Sequence, residues 1–166
     1  MRLAGLNPTS LFDGVGINFV VFFQGCKHHC PRCQNPSTWD FNGGVEMYHE
    51  ELQSRISKYL PFITGITLSG GDPVYQLEDA LMLAWWAKSK GLTVTLYTGF
   101  TLDALQNIVG DNVDMPFDYI IDGRFDNQQR MRDCAFRGSV NQTVWKKSAD
   151  GLYENVSDFL DRSARR

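Results

Sequence analysis

Four short runs rich in β-branched and aromatic residues, "GINFVVFFQG" (16–25), "FITGITLSGG" (62–71), "TVTLYTG" (93–99) and "FDYIIDGRF" (117–125), each run into glycine. Between them lie stretches with helical spacing. "VEMYHEELQSRISKYL" (45–60) puts Leu52, Ile56, Tyr59 and Leu60 on one face before Pro61, and "LEDALMLAWWAKSKG" (77–91) spaces Leu77, Leu81, Ala84 and Trp85 before a capping Gly91. "TLDALQNIV" (101–109) opens on Thr101 as an N-cap. Strand and helix in alternation predict a parallel sheet with right-handed crossovers, an α/β fold. A further short strand is expected over Thr143 to Lys146, and a terminal helix within "YENVSDFLDRSA". The final "DRSARR" reads as a solvated end.

At 166 residues and 43% hydrophobic content the chain supports one core, so a single domain over 1–166 is expected. The 16 Lys and Arg against 19 Asp and Glu give a net charge of −3, which lacks the electrostatic footprint of a nucleic-acid binder. "MRLAGLNPTSLFDGVG" has one basic residue and is broken by Gly and Pro, unlike a secretory leader, and no apolar run is long enough for a bilayer. A cytoplasmic protein without membrane contact is expected.

In parallel α/β folds ligands gather where the strands end. The loops that leave the four runs are "CKHHCPRCQN", "SGGDP", "TG" and "DGRF", so one shared site is expected there. The first holds Cys26, Cys30 and Cys33 within eight residues, while the fourth cysteine is distant Cys134. In a reducing compartment clustered thiols point to metal or catalysis before disulfides. A structural zinc would need a fourth ligand, for which His28, His29 or His49 are available. A cubane iron-sulfur cluster held by three cysteines keeps one iron without a protein ligand, and that open iron is a reaction site.

The spacing C-x3-C-x2-C, with "SGGDP" one βα unit later, resembles the radical S-adenosylmethionine (SAM) superfamily. Within it the chain is most similar to the activating proteins of anaerobic ribonucleoside-triphosphate reductases, through "FVVFFQGCKHHCPRCQN", "STWDFNGG", "TLSGGDP", "LYTGF", "IIDGRF" and "FRGSVNQ" in that order. The resemblance implies a compact incomplete (β/α) barrel of mostly parallel strands, four to six by the length of the chain. It implies a 4Fe-4S cluster on Cys26, Cys30 and Cys33, with SAM on the open iron. Gly70, Gly71 and Asp72 would receive the methionine end of SAM, the glycines by leaving the backbone open to a ligand, and Thr98 would reach its ribose or carboxylate. Reduction of the SAM sulfonium would release methionine and a 5′-deoxyadenosyl radical, which takes hydrogen from a glycine Cα of the reductase. The implied partners are the large catalytic subunit of the reductase, through its glycyl-radical loop, and a flavodoxin-like electron donor. Assembly would be as a homodimer or a complex with the reductase.

Two positions depart from the superfamily pattern. Arg32 stands where an aromatic residue often stacks near adenine, a place its guanidinium could take. Gln34 replaces the aromatic or histidine often found before the asparagine, here Asn35. Lys27, His28, His29 and Arg32 read either as cations that favour a reduced cluster or as a solvated loop. Cys134 alone cannot hold a second cluster and reads as a small partly buried residue. Trp39, Phe41, Trp85 and Trp86 read as packing residues, although Trp39 is close enough in sequence to cover the site. No role for Arg137, Gly138, Asn141 and Gln142 follows from the residues. The competing functions are a small radical SAM enzyme acting on a small molecule, such as a deazaguanine-forming synthase, and a zinc-stabilised interaction module without catalysis.

Overall fold

In a computed structural model, residues 1–110, 113–131 and 134–164 are described. The four predicted strands form: β2 (Asn18–Phe23), β4 (Gly65–Gly70), β5 (Thr93–Tyr97) and β6 (Tyr119–Asp122). They pair in parallel in that order, with Asn18 opposite Gly65 and Phe23 opposite Gly70. Around them lie β1 (Arg2–Ser10), β3 (Val45–Glu46), β7 (Thr143–Lys147) and β8 (Tyr153–Asn155), all antiparallel to their neighbours. The sheet thus has eight strands in the order β3-β1-β2-β4-β5-β6-β7-β8, not four to six, and only its centre is parallel.

Three strands go unread in the sequence, β1, β3 and β8, and the longest, β1, is hidden because "RLAGLNPTS" carries Gly5 and Pro8. Pro8 is tolerated where the register with β2 shifts between Asn7 and Ser10, and β3 pairs only with Arg2 and Leu3. The first helix, α1 (His49–Ser57), is shorter than its pattern because Val45 and Glu46 are taken by the sheet edge. Leu52 and Ile56 are buried as expected, while Tyr59 and Leu60 pack on the core from the following turn.

In α2 (Leu77–Ser89) the buried stripe is Ala80, Leu83, Ala84 and Ala87. This corrects the expected one in part: Ala84 is buried and Leu81 packs on the core, but Leu77 and Leu81 are only half-buried and Trp85 is 48% exposed. Three alanines beside Leu83 let the helix lie close to the sheet, and Met82 and Trp85 turn outward. Gly91 follows at φ +75°, and Thr101 caps α3 (Leu102–Val109) by accepting from the Ala104 N–H. The terminal helix α4 is Ser157–Ala164; Tyr153 to Asn155, expected within it, are β8. Of the "DRSARR" end, 165 and 166 lie outside the described residues.

Alternation along the strands divides two environments. Phe19, Val21, Phe23, Ile66, Leu68, Val94, Leu96 and Ile120 enter the apolar core beneath the helices. The opposite face carries buried Asn18, Val20, Thr67 and Thr95. It is crossed by the segment between β1 and β2, whose Asp13 carbonyl accepts from Thr67 Oγ1 at 2.6 Å and whose Val15 and Gly16 carbonyls accept from Asn18 Nδ2 at 3.1 Å. Strand β2 is therefore covered on both sides, as its continuous apolar run predicts. Among the described residues no helix is long and apolar enough to cross a membrane.

Candidate active site

The loops leaving β2, β4, β5 and β6 meet around a cavity of about 570 Å³. Cys26, Cys30 and Cys33 line it together with Gly70 and Gly71, Gln34, Thr98 and Arg124. Cys26 is buried and the other two are half-buried. Each sulfur faces a backbone donor: His28 N–H reaches Cys26 Sγ and Asn35 N–H reaches Cys33 Sγ, both at 3.4 Å, and Phe125 N–H bonds Cys30. Left-handed backbone at His29 (φ 48°) and Arg32 (φ 58°) coils the loop tightly enough for this.

Burial pushes the Cys26 and Cys30 thiols above their ordinary value, and the N–H donors work in the other direction. Iron would remove the proton outright, and the same donors would then stabilise sulfur charge. Among the described residues, no three His, Cys, Asp or Glu side chains are grouped as a single metal ion requires. Cys26, Cys30 and Cys33 nevertheless line one cavity, and thiols are the donors that an iron-sulfur cluster takes. Cys134, buried at 9% exposure, also lines this cavity, more than its expected role as a small packed residue.

The glycines of "SGGDP" act through packing. A Cβ on Gly71 would lie 2.4 Å from the Gly25 carbonyl oxygen and 2.9 Å from that of Thr38, so its absence lets the end of β4 lie against the cluster loop. Gly71 N–H donates to Phe23 O at 2.8 Å and Asp72 N–H to Gly25 O at 3.0 Å. The space a side chain would fill here is occupied by backbone, not left open for a ligand.

Asp72 is 1% exposed and is not part of the cavity wall. Its Oδ1 accepts from Val74 N–H at 3.0 Å. Its Oδ2 accepts from His28 Nε2 at 2.8 Å, Gly99 N–H at 2.9 Å and Thr98 Oγ1 at 3.0 Å. Thr98 Oγ1 in turn accepts from Phe100 N–H at 3.1 Å, so this hydroxyl serves the loop backbone even though it borders the cavity. His28 is the residue that the sequence most understated: its side chain is 4% exposed, between the rings of Tyr75 and Phe100, and it is no solvated cation.

Lys27, His29 and Arg32 are exposed on the outside of the loop, Lys27 over the Phe41 and Tyr75 rings and His29 against Trp39. Trp39 lines the cavity, and Arg32 does not. Arg124 is exposed at the rim; its guanidinium has no hydrogen-bond or ion-pair partner among the described residues and sits near enough to Cys30 to favour its thiolate.

The stretch 137–142 braces the "DGRF" loop. Gln142 Nε2 donates to Gly123 O at 2.8 Å and Asn141 Nδ2 to Arg124 O at 2.9 Å, while Gln142 Oε1 accepts from Gly138 N–H at 2.9 Å. Arg137 is buried against Asp161 of α4 and donates to Gln142 O at 2.9 Å. The loop that supplies the donor to Cys30 is thereby fixed from behind. No local pattern in the sequence announces these bonds, which span up to 24 residues.

The chain matches the family model described as a 4Fe-4S single cluster domain over residues 12–145. It is 31% identical to the anaerobic ribonucleoside-triphosphate reductase-activating protein of Enterobacteria phage T4, over 93% of this chain and 99% of that protein. With the protein of that name from Salmonella typhimurium it shares 33% identity, over 87% and 97%. It is 36% identical to the pyruvate formate-lyase-activating enzyme of Clostridium pasteurianum over 58% of this chain and 42% of that protein. The crystal structure of QueE from Escherichia coli aligns with a TM-score of 0.46 at 18% identity, covering 60% of this chain and 52% of that one. By the extent of these matches, the chain belongs to the family of anaerobic ribonucleoside-triphosphate reductase-activating proteins, built on a 4Fe-4S single cluster domain.

Proposed function

We propose that this chain uses a 4Fe-4S cluster and SAM to place a glycyl radical on the large catalytic subunit of an anaerobic ribonucleoside-triphosphate reductase. The observation that carries the reading is the meeting of three thiols from one short loop with the Gly-Gly end of β4 in a single cavity. When bound, the cluster and SAM supply reductive cleavage of the sulfonium to methionine and a 5′-deoxyadenosyl radical, which takes a hydrogen atom from a glycine Cα of the reductase.

Cys26, Cys30 and Cys33 hold the cluster, with the backbone donors of His28, Asn35 and Phe125 set against their sulfurs. The carbonyls at Ser69 to Gly71 accept from the SAM ammonium, and Arg124, an exposed guanidinium beside Cys30, pairs with its carboxylate. Gln34 and Thr98 border the nucleoside. Lys27 and Arg32 give the loop over the cluster a positive exterior on a chain of net charge −3, which suits an acidic, flavodoxin-like donor. The incomplete barrel, action in the cytoplasm and assembly with the reductase belong to the same reading.

Electron paramagnetic resonance of the anaerobically reconstituted, reduced chain tests it. A cubane signal that shifts with SAM, followed by a glycyl radical doublet on added reductase, is the expected result. A SAM-responsive cluster without a radical on the reductase would move the substrate elsewhere. Bound zinc without iron or sulfide would overturn the reading altogether.

A further inference from the structure

The acid of "SGGDP" is placed by resemblance at the methionine end of SAM, but its surroundings point to a different task. An ionised carboxylate accepts at about four lone-pair sites. Asp72 already receives four donors, three of them on Oδ2. At 1% exposure no route is left for an ammonium to displace them without stranding buried N–H groups. We propose that Asp72 is a positioning residue: through His28 it ties the cluster loop to the ends of β4 and β5, and SAM binds above this knot, to backbone.

Two independent features support the assignment. His28 Nε2 meets Asp72 Oδ2 at 2.8 Å with the ring held between Tyr75 and Phe100, and among the described residues its buried Nδ1 has no hydrogen-bond partner. Gly99, in addition, is shaped to this ring, since a Cβ there would lie 2.5 Å from His28 Cδ2 and 2.6 Å from Nε2. The turn after β5 thus supplies both an N–H to Asp72 and the vacancy that the imidazole fills. His28 lies midway between the first two cluster cysteines, so the position of one carboxylate sets where both thiols stand relative to β4.

The test compares His28→Ala, Asp72→Ala, the double variant and His28→Gln, whose amide N–H still reaches toward Asp72. In the metal-free chain, amide hydrogens of residues 26–33 should exchange about tenfold faster in either alanine variant, the scale of one lost charge-assisted bond. The double variant should be no faster than the quicker single, and His28→Gln should return to within about threefold of wild type. In the reconstituted protein the SAM concentration that half-shifts the cluster resonance should rise about tenfold in His28→Ala as well as in Asp72→Ala.

The exchange measurement involves neither cluster nor SAM, so it decides the tie even if the proposed function fails. Should Asp72→Ala not fold, the contrast between His28→Ala and His28→Gln decides alone. The proposal is overturned if Asp72→Ala weakens SAM binding while His28→Ala changes neither exchange nor affinity, for then the carboxylate meets the ammonium itself. Additive effects in the double variant would also overturn it.

Discussion

Gly99→Ala puts one methyl group into the joint between β5 and the cluster loop, and its effect can be worked out from the geometry. The new Cβ would stand 2.5 to 3.0 Å from three atoms of the His28 ring, against a comfortable separation of about 3.5–4.0 Å. Gly99 does not need a left-handed backbone, so the clash is steric and not conformational. The ring has little room to retreat, with Phe100 at 4.8 Å and Tyr75 at 5.7 Å between centroids. Either the backbone shifts, at about 1–3 kcal/mol for overpacking, or the imidazole leaves Asp72 and a bond to a charged group worth about 1.5–3 kcal/mol is lost. The expected loss is about 1–3 kcal/mol, or roughly 3–10 °C in melting temperature for a chain of this size. Urea unfolding of the metal-free chain reads it as a lower midpoint at unchanged slope. In a His28→Ala background the methyl has space, and the same substitution should cost less than about 1 kcal/mol. Gly5→Ala, where a Cβ meets nothing within 4 Å, serves as control. Equal losses in the two backgrounds, or no loss in wild type, would refute the steric reasoning.

Three further outcomes follow from other parts of the molecule. Asp161→Ala leaves the guanidinium of Arg137, whose side chain is 6% exposed, buried without its counter-charge, and should lower stability by about 3–5 kcal/mol in denaturant unfolding. Arg32→Gly relieves left-handed backbone at φ 58° while loosening the unfolded chain, so stability should stay within about 1 kcal/mol of wild type; a larger loss would reveal a contact made by the guanidinium. Burial, with Asp114 and Asp118 nearby, raises the Tyr153 phenol far above its ordinary value, and its O–H donates to Phe117 O at 2.8 Å. The unfolded chain then gives up this proton near pH 10 while the folded chain keeps it, so stability is intact below that pH and falls above it. Tyr153→Phe should flatten that decline, as followed by unfolding midpoints between pH 9 and 11.

What could be read from the sequence was local chemistry of strong character. A glycine-bounded apolar run such as 16–25 has few ways to fold other than as a buried strand, and Thr101 and Gly91 mark helix ends through bonds to residues a turn away. The cysteine spacing was equally plain. Hidden were features decided by partners far along the chain. β1 looks broken by Gly5 and Pro8, and its pairing with β2 tolerates both. In α2 the expected stripe was right at Ala84 but turned too far toward Trp85, because Ala80, Leu83 and Ala87 fit against the sheet instead. Gly70 and Gly71 were legible as unusual, but whether a missing side chain serves a ligand or a neighbouring strand depends on what lies opposite, and at Gly71 that is Gly25 and Thr38.

The same long-range bonds explain how so small a chain can keep a site ready before its cofactors arrive. The loop after β2 is held by β4 through Gly25 O, by β5 through His28 and Asp72, and by the segment after it, where Gly25 and Cys26 donate to Thr38 O and Trp39 O at 2.7 and 3.1 Å. The loop after β6 is held from behind by Gln142 and Asn141. Bonds of this kind leave little conformational entropy to be lost when a cluster binds, so binding energy is kept for orienting the ligand. The rim beyond β1 differs, for Leu11 and Phe12 border the cavity while 66% and 84% exposed. Polar groups fixed at the strand ends thus stand beside apolar side chains left in solvent at the mouth.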